Sequence, residues 1–160
     1  MSRLMLMSDL HLGHKNICKY RPNFSSEEEH SNTIYENLAT NIGKRDTLWL
    51  LGDVAFTFEW LEKIKQIKCK RKVLIVGNHD LERGITMKHL VDVYDDVFAV
   101  LSHRNYWFQH TPMHPQEMRS RLGNIHGHLH GSIIDDPRYF NVCVEHTNWK
   151  PISFAEVIQR

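Results

Sequence analysis

The sequence predicts an α/β (α+β) fold built on a parallel sheet, with a run of shorter strands in the second half of the chain. Three observations carry that prediction. Leu4–Met7, Thr47–Leu51 and Lys72–Val76 are short apolar runs of the kind buried on both faces of a sheet. Helical patterns separate the first run from the second and the second from the third, as parallel strands require. Each run also ends in a polar cluster: Asp9-Leu10-His11, Gly52-Asp53 and Gly77-Asn78-His79-Asp80. In such sheets ligands gather at the carboxyl ends of the strands, where these clusters fall.

The elements follow in order. After the first strand, Ser25-Ser26-Glu27-Glu28-Glu29 reads as a helix start, with hydroxyl caps and carboxylates in the first turn. That helix should run to about Ile42 and stop at Gly43. A second helix is expected from about Phe58 to Ile67, between the second and third strands. Beyond the third strand, Val97–Leu101, Tyr106–Gln109, Gly123–His126 and Tyr139–Val144 read as short strands separated by turns, and Ser153–Gln159 as a closing helix. The chain has 160 residues, is 41% hydrophobic and shows no repeat or linker, so one domain over 1–160 is expected.

Bulk properties narrow the partners. The formal net charge is +1, which makes no electrostatic case for nucleic acid or an anionic membrane. The basic run Lys63, Lys65, Lys68, Lys70, Arg71 and Lys72 reads as a solvated helix face and loop, with Glu59 and Glu62 beside it. Tyr106-Trp107-Phe108 reads as core strand rather than a base-stacking platform. No stretch approaches the roughly 20 apolar residues of a membrane span, and the opening apolar run is too short for a signal peptide. Cys18, Cys69 and Cys143 have no paired spacing and read as reduced thiols. The expectation is a cytoplasmic protein without a membrane partner.

The chemistry lies in the histidines, of which there are 12. Several join the three clusters above, and two more clusters follow, His110-Thr111-Pro112 and Gly127-His128-Leu129-His130. In the last, two imidazoles fall on the same side of an extended chain. In the third, Gly77 suits a tight turn before three metal- or proton-competent side chains. Asp9, His11, Asp53, Asn78, His110, His128 and His130 together offer seven oxygen or nitrogen donors and no sulfur. Seven donors suit two divalent ions sharing one carboxylate. Such a pair, about 3.5–4 Å apart, holds a bridging hydroxide and braces both oxygens of an in-line displacement at phosphorus. Carboxylate with imidazole favours manganese, with iron, nickel or zinc as alternatives.

These clusters, in this order, resemble the calcineurin-like metallophosphoesterases, whose motifs are DxH, GD, GNH[DE], H and GHxH; the likeness runs from Asp9 to His130. The resemblance implies a sandwich of two β-sheets flanked by helices. It implies Asp9, His11 and His130 for one metal, Asn78, His110 and His128 for the other, and Asp53 as the bridge. His79 would face the substrate as general acid, while Asp80 either orients that ring or pairs locally. His110 is preferred to His103 and His114 because it ends an apolar stretch and precedes Thr111-Pro112, similar to the family's His-x-Pro pattern.

Departures matter too. Val76 precedes Gly77, and Val54-Ala55-Phe56 follow Asp53, so the phosphate-clamping arginines of the protein phosphatase branch are missing. What remains resembles the short bacterial and phage members, which open with Asp-x-His-x-Gly-His-x-Asn-Ile, here Asp9 to Ile17. In that segment His14 and Asn16 are candidate substrate contacts; the competing reading is that they cap the following turn. The expected activity is two-metal hydrolysis of a small phosphate ester or nucleotide, diesters before monoesters. A nuclease acting on strands, or a non-catalytic binding module, are the alternatives.

Overall fold

The computed structural model describes residues 2–160. Among these described residues, nine strands form two sheets. β1 (Leu4–Met7), β2 (Thr47–Leu50), β3 (Arg71–Ile75), β4 (Asp96–Phe98) and β9 (Ile152–Ser153) form the first, in the order β4-β3-β2-β1-β9. Its four earlier strands are parallel, and β9 closes the edge antiparallel to β1. β5 (Val100–His103), β6 (Tyr106–Gln109), β7 (Gly123–His126) and β8 (Tyr139–Asn141) form the second, in that order. There β5 and β6 are antiparallel, and the remaining pairs parallel.

Alternation along the apolar strands explains the layers. Met5, Met7, Leu48, Leu50 and Leu74 face one way, onto Ile34 and Leu38 of α1 (Glu27–Asn41) and Trp60, Leu61 and Ile64 of α2 (Phe58–Gln66). Leu6, Trp49, Leu51, Val73 and Ile75 face the other way, onto Phe108 and Ile125 of the second sheet. The first sheet is therefore buried on both faces, which is why its strands lack a polar side. Phe108 sits fully buried in this interface, as expected for its aromatic run.

Helix ends follow the sequence signals. Ser26 caps α1 by accepting from Glu29 N at 3.0 Å, and Thr57 caps α2 by accepting from Trp60 N. Lys72, in the basic run, is buried instead of solvated. Its Nζ donates to the carbonyls of Ile64 and Lys65 at 2.6 and 3.0 Å and so satisfies the end of α2.

Three local expectations are corrected. The expected strand Val97–Leu101 is two strands, because the chain leaves the first sheet after Phe98 and enters the second at Val100. The strand expected over Tyr139–Val144 stops at Asn141; Cys143 instead bridges to Ser8, joining the two sheets at one end. A helix, α3 (Met87–Val93), went unread, its turn of apolar residues being too short to show a period. The closing helix, α4, is confined to Phe154–Val157. The cysteines are all free. Among the described residues, no helix is long and apolar enough to cross a membrane.

Candidate metal centre

The loops after β1, β2, β3, β6 and β7 meet at one edge of the two sheets. Backbone hydrogen bonds tie them together: Asp9 N donates to Gly52 O at 3.0 Å, His11 N to Asp53 O at 2.9 Å, and Gly127 N to His110 O at 2.8 Å. The approach is close enough to exclude side chains at three glycines, one of them Gly52, where a Cβ would meet His110 and Gly77. A Cβ on Gly127 would collide with Ser8 and the Asp9 carboxylate, and one on Gly77 with Asp53. Gly77 precedes the turn over 78–80, as its sequence context suggested; its φ is not positive, and what requires glycine there is close packing.

All seven predicted donors converge here, in two groups. In the first, Asp9 Oδ1 lies 3.6 Å from His11 Nε2 and 3.5 Å from His130 Nε2. In the second, Asn78 Oδ1 lies 3.0 Å from both His110 Nε2 and His128 Nδ1. Asp53 stands between them, its Oδ2 3.7 Å from His11 Nε2 and 3.3 Å from His110 Nε2. Donors about 2.1 Å from a single cation lie about 3.0–3.4 Å apart, so the spacings are those of coordination polyhedra with little contraction needed. His110, rather than His103 or His114, takes this place: His103 packs on Trp49, and His114 caps a short turn by accepting from Gln116 N.

The donor atoms are also short of partners. Asp9 Oδ1 and both ring nitrogens of His11 are buried without a hydrogen bond. Buried polar atoms without partners are costly, and a cation is what such an oxygen-and-nitrogen set would satisfy. The other oxygen of Asp9 is saturated: Oδ2 accepts from Ser8 Oγ at 2.6 Å, His128 N at 2.8 Å and Cys143 Sγ at 3.1 Å. Those bonds aim Oδ1 at the centre. Backbone strain points the same way. Asp9, His11, Asp53, His128 and His130 all have positive φ, between 49° and 68°, a region that side chains avoid.

The electrostatics are those of facing acids and imidazoles. Burial works to raise the Asp9 and Asp53 carboxyls, but the His11 and His110 contacts hold both below the usual range. Burial works against charge on His110 as well, yet the Asp53 bond and the Asp9 charge push it up to about 9. Burial lowers His11. Both oxygens of the Asp80 carboxylate are bonded elsewhere than to the His79 ring. Asp80 is buried, and its carboxylate accepts from Asp53 N, Val54 N and Gly77 N at 2.7–2.9 Å, stapling the β2 loop to the β3 loop.

Beside the centre is a cavity of about 620 Å³ lined by His11, His14, Ile17, Tyr20, His79, His130, Gly131 and Glu145. His79 is partly exposed at its wall, with Nδ1 3.0 Å from Glu82 Oε1. His14 is edge-on to Phe56 and 5.8 Å from the His11 ring. Asn16 is exposed, does not line the cavity, and makes no side-chain cap to the following turn. Sequence reasoning missed Ser8, Arg21, Cys143 and Glu145, which surround the donors. Ser8 adjoins a motif and could have been suspected; the others lie outside every cluster and carry no local signal.

No family model matches the chain. An uncharacterized protein of Methanocaldococcus jannaschii is 28% identical over 99% of this chain and 91% of its own length. A solved structure, a protein of unknown function from Aquifex aeolicus, superposes with a TM-score of 0.79 at 26% identity, covering 99% of both chains. The Gene 66 protein of Mycobacterium phage L5 is 31% identical over 84% of this chain and 80% of its own. At that identity and coverage, the chain belongs to the family of that phage protein.

Proposed function

We propose that this chain is a single-domain, two-metal phosphoesterase of the calcineurin-like type, acting on phosphodiesters in preference to monoesters. One observation carries the reading: Asp53 Oδ2 stands between two separate donor groups, as a bridging carboxylate must. Asp9, His11 and His130 would hold one ion, and Asn78, His110 and His128 the other. The carboxylate–imidazole set fits manganese best, with iron, nickel or zinc compatible. When bound, the two cations supply charge stabilisation at phosphorus and activate water for attack.

The chain's own residues do the rest. Glu82 Oε1 stands 3.0 Å from His79 Nδ1, and the His79 ring at the cavity wall protonates the leaving oxygen, a step worth roughly 10²–10⁴ in rate. His14 lines the cavity and contacts the bound ester. The cavity suits a small phosphate ester or nucleotide rather than a strand, which would need a basic groove that a net charge of +1 does not supply. Unpaired cysteines fit a cytoplasmic setting.

The test is hydrolysis of bis-p-nitrophenyl phosphate, p-nitrophenyl phosphate and a short oligonucleotide with added Mn²⁺. Turnover of the diester above the others is expected, and no turnover with any divalent metal would leave only a binding module. His79→Ala should retain both ions and lose about 10²-fold or more on a diester with a poor leaving group. Full activity in that variant would remove His79 from the role of acid.

A further inference from the structure

Arg21 is 2% exposed and lies outside every motif, yet its guanidinium reaches the Asp9–Leu10 turn, His30 and Glu145. Nη2 donates to Asp9 O at 2.7 Å, and Nη1 to Leu10 O at 3.4 Å. Nη1 also lies 2.8 Å from His30 Nε2, and Nε donates to Glu145 Oε1 at 2.8 Å. A buried guanidinium is tolerated only when paired, and Glu145 is the one carboxylate that meets it. Arg21 therefore fixes where Glu145 Oε1 stands, and at the same time clasps the strained turn of Asp9.

That same Oε1 lies 3.2 Å from His130 Nδ1. An ionised carboxylate only accepts, so Nδ1 must be the protonated ring nitrogen. The lone pair is then left on Nε2, which is the atom 3.5 Å from Asp9 Oδ1. The opposite tautomer would set acceptor against acceptor at Glu145 and turn a protonated Nε2 toward the metal group. Arg21 Nη2 also comes within 3.5 Å of Nδ1, a contact that by itself would favour that opposite tautomer. It is the longer of the two, and Nη2 is already engaged by Asp9 O at 2.7 Å, so Glu145 prevails.

We propose that Glu145, held in place by Arg21, is a positioning residue that commits His130 to present Nε2 as a ligand in the Asp9–His11–His130 group. The inference rests on the two-metal reading above. It assigns to Glu145 the carboxylate–histidine–metal role, whose removal typically costs 10–100-fold in metal affinity. Arg21 and Glu145 are 124 residues apart in the chain, so this brace exists only in the folded protein.

The experiment is calorimetric titration of the metal-free protein with Mn²⁺, with no substrate present. Wild type should bind two ions; failure to bind any would overturn the two-metal reading and this inference with it, whereas two-ion binding unaffected by either Glu145 variant would overturn the inference alone. Given two ions, Glu145→Ala should weaken one binding step 10–100-fold and leave the other unchanged. Glu145→Gln, whose amide oxygen still accepts from both Nδ1–H and Arg21 Nε, should recover most of that loss. Unchanged affinity in both variants, or equal weakening of both steps, would overturn the proposal. A second measurement needs no variant: in the zinc-loaded wild type, imidazole ¹⁵N shifts should show His130 metal-bound at Nε2 and protonated at Nδ1. The reverse pattern would overturn it as well.

Discussion

The two donor groups that Asp53 stands between are supported in different ways. Around Asp9, His11 and His130 the support is a set of side chains, the neighbouring Ser8 together with Arg21, Cys143 and Glu145 from farther along the chain. Around Asn78, His110 and His128 it is mostly backbone. His110 Nδ1 meets Leu51 O at 2.7 Å, and Asp80 clamps three main-chain N–H groups of the two adjoining loops. Burial differs at one member: His110 is as buried as Asp9 and His11, and His128 and His130 are both partly buried, but Asn78 is exposed. The comparison teaches that one site is enclosed and braced by charge, and the other lies nearer solvent on a peptide framework. The enclosed site should be the tighter of the two.

The residue between the two groups gives the largest effect. Asp53→Asn should weaken both Mn²⁺ binding steps and lower diester turnover by about 10³-fold, the order seen when one central electrostatic stabiliser is lost. Titration and a rate assay check this together. If one binding step survived at wild-type strength, Asp53 would serve a single group and the comparison would need redrawing.

A smaller, selective effect comes from the backbone clamp. Asp80→Ala leaves three buried N–H groups without an acceptor, at about 1–3 kcal/mol each when left wholly unpaired. Melting should fall by several degrees, and the Mn²⁺ step that Glu145→Ala spares should weaken about tenfold. Weakening of the other step alone would break the proposed division of support.

The smallest effect serves as a control away from the centre. Asp46 accepts from Gly43 N and from the Arg3 backbone and guanidinium, and the Arg3 bond holds its carboxyl down to about 2. A folded-state value below the unfolded one, near 3.9, stabilises the protein above pH 4 and ceases to do so as pH falls through 2. Arg3 is half exposed, which limits the gain. Asp46→Asn should lower the melting temperature by about 2–4 °C at pH 6, with the gap to wild type closing between pH 4 and pH 2. Neither Mn²⁺ step should change. A change in metal binding would show that the first sheet's far edge is coupled to the centre.

Much of the architecture was legible because it rests on local patterns. Apolar runs such as Met5-Leu6-Met7 marked strands buried on both faces, and Ser26 with its following glutamates marked the start of α1. Where local signal was thin, the reading failed. Nothing at Ala99 announces that the chain changes sheets there, since both neighbouring strands have the same extended, apolar character. Lys72 looked like a solvated lysine because its acceptors, the end carbonyls of α2, are backbone atoms that no side-chain pattern reveals.

For the candidate centre, the sequence by itself determined which side chains are available and in what order, because each cluster sits in the short loop after its own strand. Only the tertiary structure decided which oxygen of Asp9 faces the centre and that Asp53 lies between the groups. It also decided that Asp80 clamps backbone instead of orienting His79, that His14 lines the cavity while Asn16 does not, and that Arg21 and Glu145 matter. The physical reason is distance along the chain. Hydrogen bonds such as Arg21–Glu145 and Cys143–Asp9 join residues more than a hundred positions apart, and their partners are set by sheet packing that no local spacing encodes.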